Sequence, residues 1–277
     1  MSKNNNYPKN NQVDILYILG AGHCGSTLLN LCLDRHSAVV GVSEIITLNR
    51  KSPGWSGDKY VLDEKYWSEV DRVMQEKYNK SLTEVPFNLK ASLPFYSLAL
   101  QSNKEALEAI LEISKKSIIS DASKNSKRLE VLLQSKSFKV RVIYLVRDGR
   151  AIVHAYLRKY KSCWPGLYNL ISTDRAARRL MAKHGSKNWL TIRYEDMATD
   201  LEGTLRNICS FSKINYESLM LHPDTSNFNG LGGNRLIKRP IDKIILDNVW
   251  QTEMPRITRS FTSIIVSKFN RRHGYKN

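Results

Sequence analysis

The fold is decided by residues 14–44, DILYILGAGHCGSTLLNLCLDRHSAVVGVSE. The pattern predicts a buried strand over Ile15–Leu19, a tight glycine turn over Gly20–Gly25, and a helix that begins at Ser26 or Thr27. Glycines let the backbone approach an anion, while the N–H groups and dipole of a helix N-terminus favour negative charge. The stretch therefore predicts a phosphate-binding turn.

The spacing Gly20-x4-Gly25 also resembles a Walker A loop, but Ser26 stands where the lysine of that loop belongs. A kinase-like NTPase would in addition need a carboxylate that holds a metal ion. Asp121 and Asp148 each follow a predicted strand and are imperfect candidates for that carboxylate. The kinase hypothesis is weak, but it stays open at this point.

The composition is that of a globular protein with an unusual charge. The 277 residues are 42% hydrophobic and 25% charged, and they carry a formal net charge of +17. A basic excess of this size favours a polyanionic partner such as nucleic acid, an acidic membrane surface or a phosphorylated cofactor. An equally good interpretation is a solubility feature of a basic proteome.

The four cysteines show no CxxC pair and no grouping with histidine that would hold a metal. Reduced thiols in a cytosolic protein explain them most simply. Cys24 lies inside the glycine turn, where a helix N-terminus could make it a low-pKa nucleophile. We favour a small filler residue, because no His–Asn or His–Asp pair is placed to serve it.

Residues 1–12 are polar and rich in asparagine, so we expect a disordered segment and not a secretory signal. No apolar run approaches the length that spans a bilayer. We expect a soluble protein in the cytoplasm.

From residue 13 onward, predicted strands alternate with predicted helices. This order predicts an α/β protein: a P-loop-like three-layer fold with a central, mostly parallel sheet flanked by helices. No linker or repeat divides residues 13–277, which favours a single domain. Residues 51–100, with an amphipathic helix over 64–80, are interpreted as a helical excursion on the substrate side.

A closing helix is predicted from Asp247 or Pro255 to His273. Its apolar positions keep a helical period, and we expect them to pack in the core because the stripe is narrow; binding to a membrane is the alternative. These positions are Ile257, Phe261, Ile264, Ile265 and Phe269.

Four segments with polar or glycine-rich chemistry follow predicted strands, at the edge of a parallel sheet where ligands bind. They are Gly22–Thr27, Asp121–Lys124, Arg147–Arg150 and Arg193–Asp196. Arginines are usually solvated surface residues. An arginine that directly ends a buried strand is better placed to bind a phosphate in bidentate fashion, so we favour an anion site at Arg147.

Taken in order, these segments resemble the sulfotransferases that use 3′-phosphoadenylyl sulfate (PAPS). GAGHCGSTLLN resembles the 5′-phosphosulfate loop of that family, RVIYLVRDGRAIVHAYL its 3′-phosphate segment, and RYEDM its YED element. GGNR, a later tryptophan and the terminal HGY fit its C-terminal pattern. The resemblance covers Val13 to Tyr275 and is closest to small bacterial sulfotransferases, with similarity to the tyrosylprotein branch.

The resemblance implies roles for particular residues. Arg147 would bind the 3′-phosphate and Tyr194 would contact the adenine. The phosphosulfate would be bound by the residues of the glycine turn and helix start: Gly22, His23, Cys24, Gly25, Ser26, Thr27 and Leu28. The loop Gly232–Arg235 would close over the cofactor and contact it through Gly233, Asn234 and Arg235.

Glu44 lies eight residues beyond His36, where the tyrosylprotein branch carries its catalytic glutamate, so the resemblance implies that Glu44 is the general base. An exposed loop carboxylate is the competing interpretation. Lys124 and His23 would stabilise charge that develops on the sulfuryl oxygens and on the leaving phosphate.

Two positions depart from the family pattern. His23 stands where many members carry arginine or lysine, and Ala155 stands where a serine commonly holds the 3′-phosphate. His154 and Tyr156 are the candidates to compensate for that serine.

The implied activity is transfer of a sulfuryl group from PAPS, with release of 3′-phosphoadenosine 5′-phosphate (PAP). We expect a small, natural-product-like acceptor with a hydroxyl or an amine or carbamoyl nitrogen, in a pocket shaped by residues 51–100 and a loop around 164–168. A carbohydrate or tyrosyl acceptor is the alternative, and a non-enzymatic nucleic-acid binder is a hypothesis of another class. No nucleic-acid partner, membrane or metal is expected.

Overall fold

The strand that comes first in the sequence lies at the centre of the sheet. The computed structural model of the protein describes residues 12–48, 64–90, 95–232, 241 and 244–276. Their strands are β1 (Val13–Leu19), β2 (Val39–Ser43), β3 (Ile118–Asp121), β4 (Phe138–Val146) and β5 (Trp189–Arg193). They form one sheet in the order β2-β3-β1-β4-β5, with every pairing parallel. The predicted α/β fold with a central, mostly parallel sheet is confirmed.

Helices connect the strands and cover both faces of the sheet. In the described residues they are α1 (Ser26–Asp34), α2 (Lys65–Tyr78), α3 (Tyr96–Ser114), α4 (Ser126–Gln134), α5 (Gly149–Tyr160), α6 (Trp164–His184), α7 (Tyr194–Thr199), α8 (Leu201–Ser212), α9 (Trp250–Glu253) and α10 (Arg256–Arg272). Short 3₁₀ turns cover Ile45–Thr47, Leu82–Glu84 and Ser218–Leu221.

The alternation of side chains along β1 produces the three layers. Ile15, Tyr17 and Leu19 point into an apolar cluster that includes residues of α2 to α6 and α10. Leu16 and Ile18 point the other way, into a second cluster with α1, α7 and α8. Because both faces of a parallel sheet are covered, its strands are apolar almost throughout.

The excursion of residues 51–100 is helical where the structure describes it, but residues 51–63 and 91–94 lie outside that part. Its helix α2 has nearly the predicted bounds, and its last described residues, from Tyr96 onward, begin α3. Of the segment 1–12, expected to be disordered, only Gln12 is described; its Nε2 donates a hydrogen bond to the Lys136 carbonyl. The single-domain assignment stays a prediction.

The predicted loop around residues 164–168 is wrong, because these residues begin the 21-residue helix α6. Pro165 and Gly166 suggest a break in the sequence. Proline is tolerated in the first turn of a helix, however, since the N–H group that it lacks has no partner there.

The interpretation of the closing helix as a core helix holds for only one part of its apolar stripe. Phe269 is buried, and the helix packs through Thr262, Val266 and Asn270 as well. Ile257, Phe261 and Ile264 are exposed, which corrects the expectation for these three positions. Among the helices of the described residues, none combines the length and apolar character needed to cross a membrane.

Candidate functional site

The parallel order of the strands brings the candidate residues to one edge of the sheet. The glycine turn follows β1, Glu44 follows β2, Lys124 lies three residues beyond β3, Arg147 follows β4, and Tyr194 follows β5. The carboxyl ends of parallel strands meet at the same edge, where α/β proteins bind their ligands. The chain therefore collects these side chains at one site.

The glycine turn ends in a helix N-terminus without a side-chain cap. Gly25 is the residue before α1, its φ is 97°, and no side chain caps the helix there. A Cβ on Gly25 would lie 2.6 Å from the ring of Tyr194, so both conformation and space require glycine. The side chains of Ser26 and Thr27 are buried at the start of the helix. This geometry suits an anion held by the first turn of α1.

Two amides of the turn are already bonded within the protein. The Gly22 N–H donates to Asn169 Oδ1 at 2.7 Å, and the Cys24 N–H donates to the Ala21 carbonyl at 3.3 Å. Asn169 lies on α6, near the helix start that the sequence predicts to be a loop, and the sequence pattern does not predict this contact. An anion at the turn would depend mainly on the first turn of α1.

Cys24 is completely buried, and burial raises the pKa of its thiol above the ordinary value. A buried thiol with a raised pKa is a poor nucleophile. The structure thus favours the filler interpretation of Cys24 over a catalytic one.

Arg147 connects the glycine turn to a later segment of the chain. Its Nη1 donates to the His23 carbonyl at 2.9 Å, and its Nη2 donates to the Asp247 carbonyl and lies 3.0 Å from the Asp247 carboxylate. The guanidinium is buried, and its Nε has no hydrogen-bond partner in the described part of the chain. A buried guanidinium with an open N–H group fits the proposed binding of a phosphate.

Arg150, by contrast, is occupied. It makes two side-chain hydrogen bonds with Asp148, at 3.0 and 2.6 Å, and its guanidinium stacks on the Trp250 ring at 4.4 Å. Of the two arginines, Arg147 is therefore the better candidate for binding an anion.

Tyr194 packs between the glycine turn and Arg147. Its ring touches Gly25, the Arg147 guanidinium lies 4.4 Å from its centroid, and its hydroxyl donates to the Ile245 carbonyl at 3.3 Å. Burial raises the pKa of Tyr194. The ring links the ends of β1, β4 and β5 at the place where the resemblance puts the adenine.

Glu44 and Lys124 form an ion pair across the ends of β2 and β3. Lys124 Nζ donates to Glu44 Oε1 at 2.5 Å and to the Ala122 carbonyl at 3.2 Å. The Glu44 N–H donates to the Leu231 carbonyl at 2.7 Å, which holds the backbone of the residue before Gly232 against that of Glu44. Both side chains are mostly shielded from solvent. Glu44 is thus a fixed carboxylate and not a free loop residue.

His23 lies in a strongly cationic environment. Burial and, to a smaller extent, the positive charges of Lys159, Arg147 and Lys124 together lower the pKa of its imidazole to about 4. Its ring meets the Tyr156 ring edge to face, with centroids 5.0 Å apart. The imidazole is therefore neutral at pH 7, and these cations create a site that favours an anion.

The carboxylates that a kinase would need are engaged elsewhere. Asp121 accepts hydrogen bonds from Arg128 Nε at 2.9 Å and from the Ser123 N–H at 2.8 Å. Asp148 caps α5 and binds Arg150. No group of three or more metal-ligating side chains occurs in the described residues.

A network that the sequence did not predict connects the end of the chain to the site. Tyr275 donates its hydroxyl hydrogen to Glu195 at 2.6 Å, and the other Glu195 oxygen accepts from the Asp148 N–H at 3.0 Å. Asn270 Oδ1 accepts from the Gly149 N–H at 2.9 Å. These bonds fix the ends of β4 and β5, and with them Arg147.

Three predicted cofactor residues, Gly233, Asn234 and Arg235, lie outside the described residues. Gly232 is described and has a φ of 67°. Of the two residues considered in place of the missing serine, His154 is buried, and Tyr156 places its hydroxyl against Gly22.

Comparisons with known proteins identify structures of similar fold and one matching family. Solved structures with a similar fold include the sulfotransferase domain of the Synechococcus PCC 7002 olefin synthase (20% identity, TM-score 0.62, 98% of each chain covered). The sulfotransferase domain from the curacin biosynthetic pathway is also similar (18% identity, TM-score 0.59, 95% of this chain and 98% of that chain covered). So is sulfotransferase STF9 from Mycobacterium avium (14% identity, TM-score 0.57, 94% of this chain and 77% of that chain covered). No curated protein sequence matches. The model of the sulfotransferase family matches residues 16–218, and the chain belongs to this family.

Proposed function

We propose that this sulfotransferase takes its sulfuryl group from PAPS and transfers it to a hydroxyl, or to an amine or carbamoyl nitrogen, of a small-molecule acceptor. The observation that carries the proposal is the Glu44–Lys124 pair, which lies at the same sheet edge as an uncapped helix N-terminus. A carboxylate base and a cation beside an anion-binding turn are the groups that such a transfer needs. All four cysteines are free thiols, which suits a cytoplasmic enzyme.

The donor set of this edge fits PAPS. The first turn of α1 would hold the 5′-phosphosulfate, together with the Ser26 and Thr27 hydroxyls. Arg147 would bind the 3′-phosphate through the guanidinium whose Nε is buried without a partner in the described residues. Tyr194 would contact the adenine, and Gly233 to Arg235 would complete the nucleotide site. PAPS would supply the activated sulfuryl group.

His154 is our candidate for the role of the serine that Ala155 replaces. It is buried on α5, the helix that begins two residues beyond Arg147, and burial lowers the pKa of its imidazole. Tyr156 contacts the other end of the site, at Gly22 and His23. A neutral imidazole can donate one hydrogen bond to a phosphate oxygen.

Glu44 would accept the proton of the acceptor hydroxyl or nitrogen as the new bond to sulfur forms. Lys124 holds the carboxylate in one orientation through the 2.5 Å hydrogen bond and places a positive charge beside it. His23 is neutral before a ligand binds, so it acts first as a hydrogen-bond donor. An anion bound at the turn would favour its protonation, which would add a positive charge where the leaving phosphate forms.

A thermal-shift comparison of PAP, ATP with Mg²⁺ and a single-stranded oligonucleotide tests the choice of cofactor. We expect PAP to stabilise the protein by about 2.7 kcal/mol at one hundred times its Kd. The other two ligands should have little effect. Stabilisation by ATP with Mg²⁺ and not by PAP would contradict the proposal.

The acceptor is tested with radiolabelled PAPS and a panel of acceptors. The panel should contain aliphatic and phenolic alcohols, amines, carbamoyl compounds, an oligosaccharide and a tyrosyl peptide. We expect label on the small molecules. Label on the oligosaccharide or the peptide alone would contradict the proposed acceptor and leave the sulfotransferase activity intact.

A further inference from the structure

The exposed residues of α10 form a row on one side of the helix. Ile257 is 87% exposed and Ile264 is 75% exposed, with the partly exposed Phe261 between them. The spacing of four and then three residues places these side chains on one helical face. Large aliphatic side chains with this exposure on one face are unusual for a surface helix, whose apolar stripe normally faces the core.

Helix α6 extends this row. Trp164 is 64% exposed and Tyr168 is 77% exposed, and the two are one turn apart. The rings of Trp164 and Phe261 meet edge to face, with centroids 5.7 Å apart. We call the joined surface the α6–α10 face; it consists of Trp164, Tyr168, Ile257, Phe261 and Ile264. A joined apolar patch of this kind marks an interaction site.

The stretches of sequence around the α6–α10 face are basic, and the one acidic residue of α6, Asp174, is buried and paired with Arg272. Residues 149–173 contain four lysines or arginines, residues 254–276 contain six, and neither stretch contains aspartate or glutamate. The exposed members include Lys159, Lys161, Arg256, Lys268 and Arg271. The surface thus combines apolar side chains with positive charge, which is complementary to an anionic partner.

A cleft lies along one flank of α10. It has a volume of about 470 Å³ and is lined by Arg150, Trp250, Gln251, Arg259, Ser260 and Ser263. Arg259 Nη1 donates to the Gln251 carbonyl at 2.7 Å, which is the one side-chain hydrogen bond that Arg259 makes in the described residues. Arginine and serine side chains are suitable donors for a phosphate ester.

We propose that the α6–α10 face docks the protein on an anionic phospholipid surface. The isoleucines and aromatic rings would enter the boundary between headgroups and acyl chains, while the flanking lysines and arginines contact the headgroups and the cleft takes one phosphate. Aliphatic and aromatic side chains that project singly from a basic helix are typical of interfacial membrane binding. This inference goes beyond the proposed function and does not depend on it.

Docking would place the glycine turn close to the membrane. Asn169 lies one residue beyond Tyr168 on α6 and accepts a hydrogen bond from the Gly22 N–H. The helix that carries Trp164 and Tyr168 of the face therefore also contacts the glycine turn. Amphiphilic acceptors that partition into the membrane surface would then be presented at the site.

Co-sedimentation of the full chain with vesicles tests the proposal, without any cofactor present. We expect binding to vesicles of phosphatidylcholine with phosphatidylglycerol, weak binding to phosphatidylcholine alone, and loss of binding at high salt. The double variant Ile257→Ser/Ile264→Ser should bind about tenfold more weakly or worse, because two aliphatic side chains no longer insert. Leu219→Ser, an exposed leucine outside the face, is the matched control and should bind like the wild type.

Charge is tested separately with Lys268→Glu/Arg271→Glu, against Lys213→Glu on the C-terminal end of α8 as control. The double variant Lys268→Glu/Arg271→Glu should weaken binding to anionic vesicles, and the control Lys213→Glu should not. Circular dichroism and thermal unfolding confirm that the variants fold, which is expected since the side chains are exposed. Unchanged vesicle binding by both double variants would overturn the proposal. A second result would also overturn it: the wild type binds no vesicles but self-associates in sedimentation velocity, and the double variants do not self-associate. The face would then bind a second copy of the chain.

Discussion

Lys124 Nζ lies 2.5 Å from Glu44 Oε1, and this contact joins the ends of two neighbouring parallel strands. The two residues are 80 positions apart in the sequence, but the pairing of β2 with β3 brings them together. Lys124 has a φ of 55°, a left-handed conformation that is uncommon for lysine. The backbone is therefore held in an unusual conformation at the residue that orients the proposed base.

Glu44→Gln should lower kcat by about 10²- to 10⁴-fold, the usual contribution of a general base. The substitution keeps the size of the side chain and a hydrogen-bond acceptor for Lys124, so the affinity for PAP should stay nearly the same. Steady-state transfer assays and calorimetry with PAP give the two values. Glu76→Gln, at an exposed ion pair on α2, is the control. Unchanged turnover would remove Glu44 as the base.

Arg147→Ala should weaken PAP binding by roughly 10- to 100-fold, since hydrogen bonds to charged groups contribute about 1.5–3 kcal/mol. The affinity for adenosine 5′-monophosphate, which lacks the 3′-phosphate, should change much less. Calorimetry with both nucleotides measures the difference. Arg150→Ala is the control: it removes the contacts to Asp148 and Trp250, so it should lower stability more than PAP affinity. Equal losses for both nucleotides in Arg147→Ala would contradict the 3′-phosphate assignment.

Asp247→Asn should strengthen PAP binding several-fold. The Asp247 carboxylate lies 3.0 Å from Arg147 Nη2, where it competes with a phosphate for the guanidinium. Burial on its own would raise the pKa of Asp247, but the hydrogen bond and charge of Arg147 lower it below the ordinary value, so the group is ionised at neutral pH. Asparagine keeps the shape and removes the charge. Calorimetric affinities of wild type and variant decide the point, and a weaker affinity in the variant would show that Asp247 supports the nucleotide site.

The His23 imidazole should titrate with a midpoint of about 4 in the protein without ligand, because burial and then the charges of Lys159, Arg147 and Lys124 disfavour its charged form. The midpoint is measured by NMR, with the signal assigned by its loss in His23→Gln. Saturation with PAP should raise it. A midpoint near 6.5, the ordinary value, would contradict the cationic environment described for the turn.

The same shift affects stability. Between pH 6.5 and about 4 the unfolded chain binds a proton at His23 that the folded protein does not, so the free energy of unfolding falls as the pH falls through this window. Above this window the imidazole is neutral in both the folded and the unfolded chain, so His23 no longer changes the free energy of unfolding with pH. His23→Gln should make the decrease smaller in denaturant titrations at pH 7, 6 and 5. An identical pH dependence in the variant would show that the imidazole is not buried.

Local patterns predict the elements that carry the site. The run VRVIYLV marks β4, WLTIR marks β5, and the turn after β1 is recognisable because glycines and small polar residues separate an apolar strand from an apolar helix face. Since every one of these strands is parallel, the meeting of Arg147, Tyr194 and Glu44 at one edge follows from the sequence pattern alone.

Contacts made by side chains from distant segments could not be predicted in this way. The bonds of Asn169 with Gly22, Tyr275 with Glu195, and Asp247 with Arg147 depend on how α6, α10 and the segment before α9 pack. No local period encodes these positions. The start of α6 was missed because proline and glycine suggest a break in a sequence window, whereas in the folded protein they occupy a helix start.

The central position of β1 has a consequence for how the chain folds. Asp14 pairs with Ile118 on one side and Lys139 on the other, so β1 lacks both of its neighbours in the sheet until β3 and β4 have been synthesised. Contacts between such distant segments slow folding, because a long loop must close before they form. During translation β1 is therefore an apolar strand with two unpaired edges until β3 and β4 have been synthesised. Such an exposed strand favours aggregation, so we expect chaperones to bind the nascent chain.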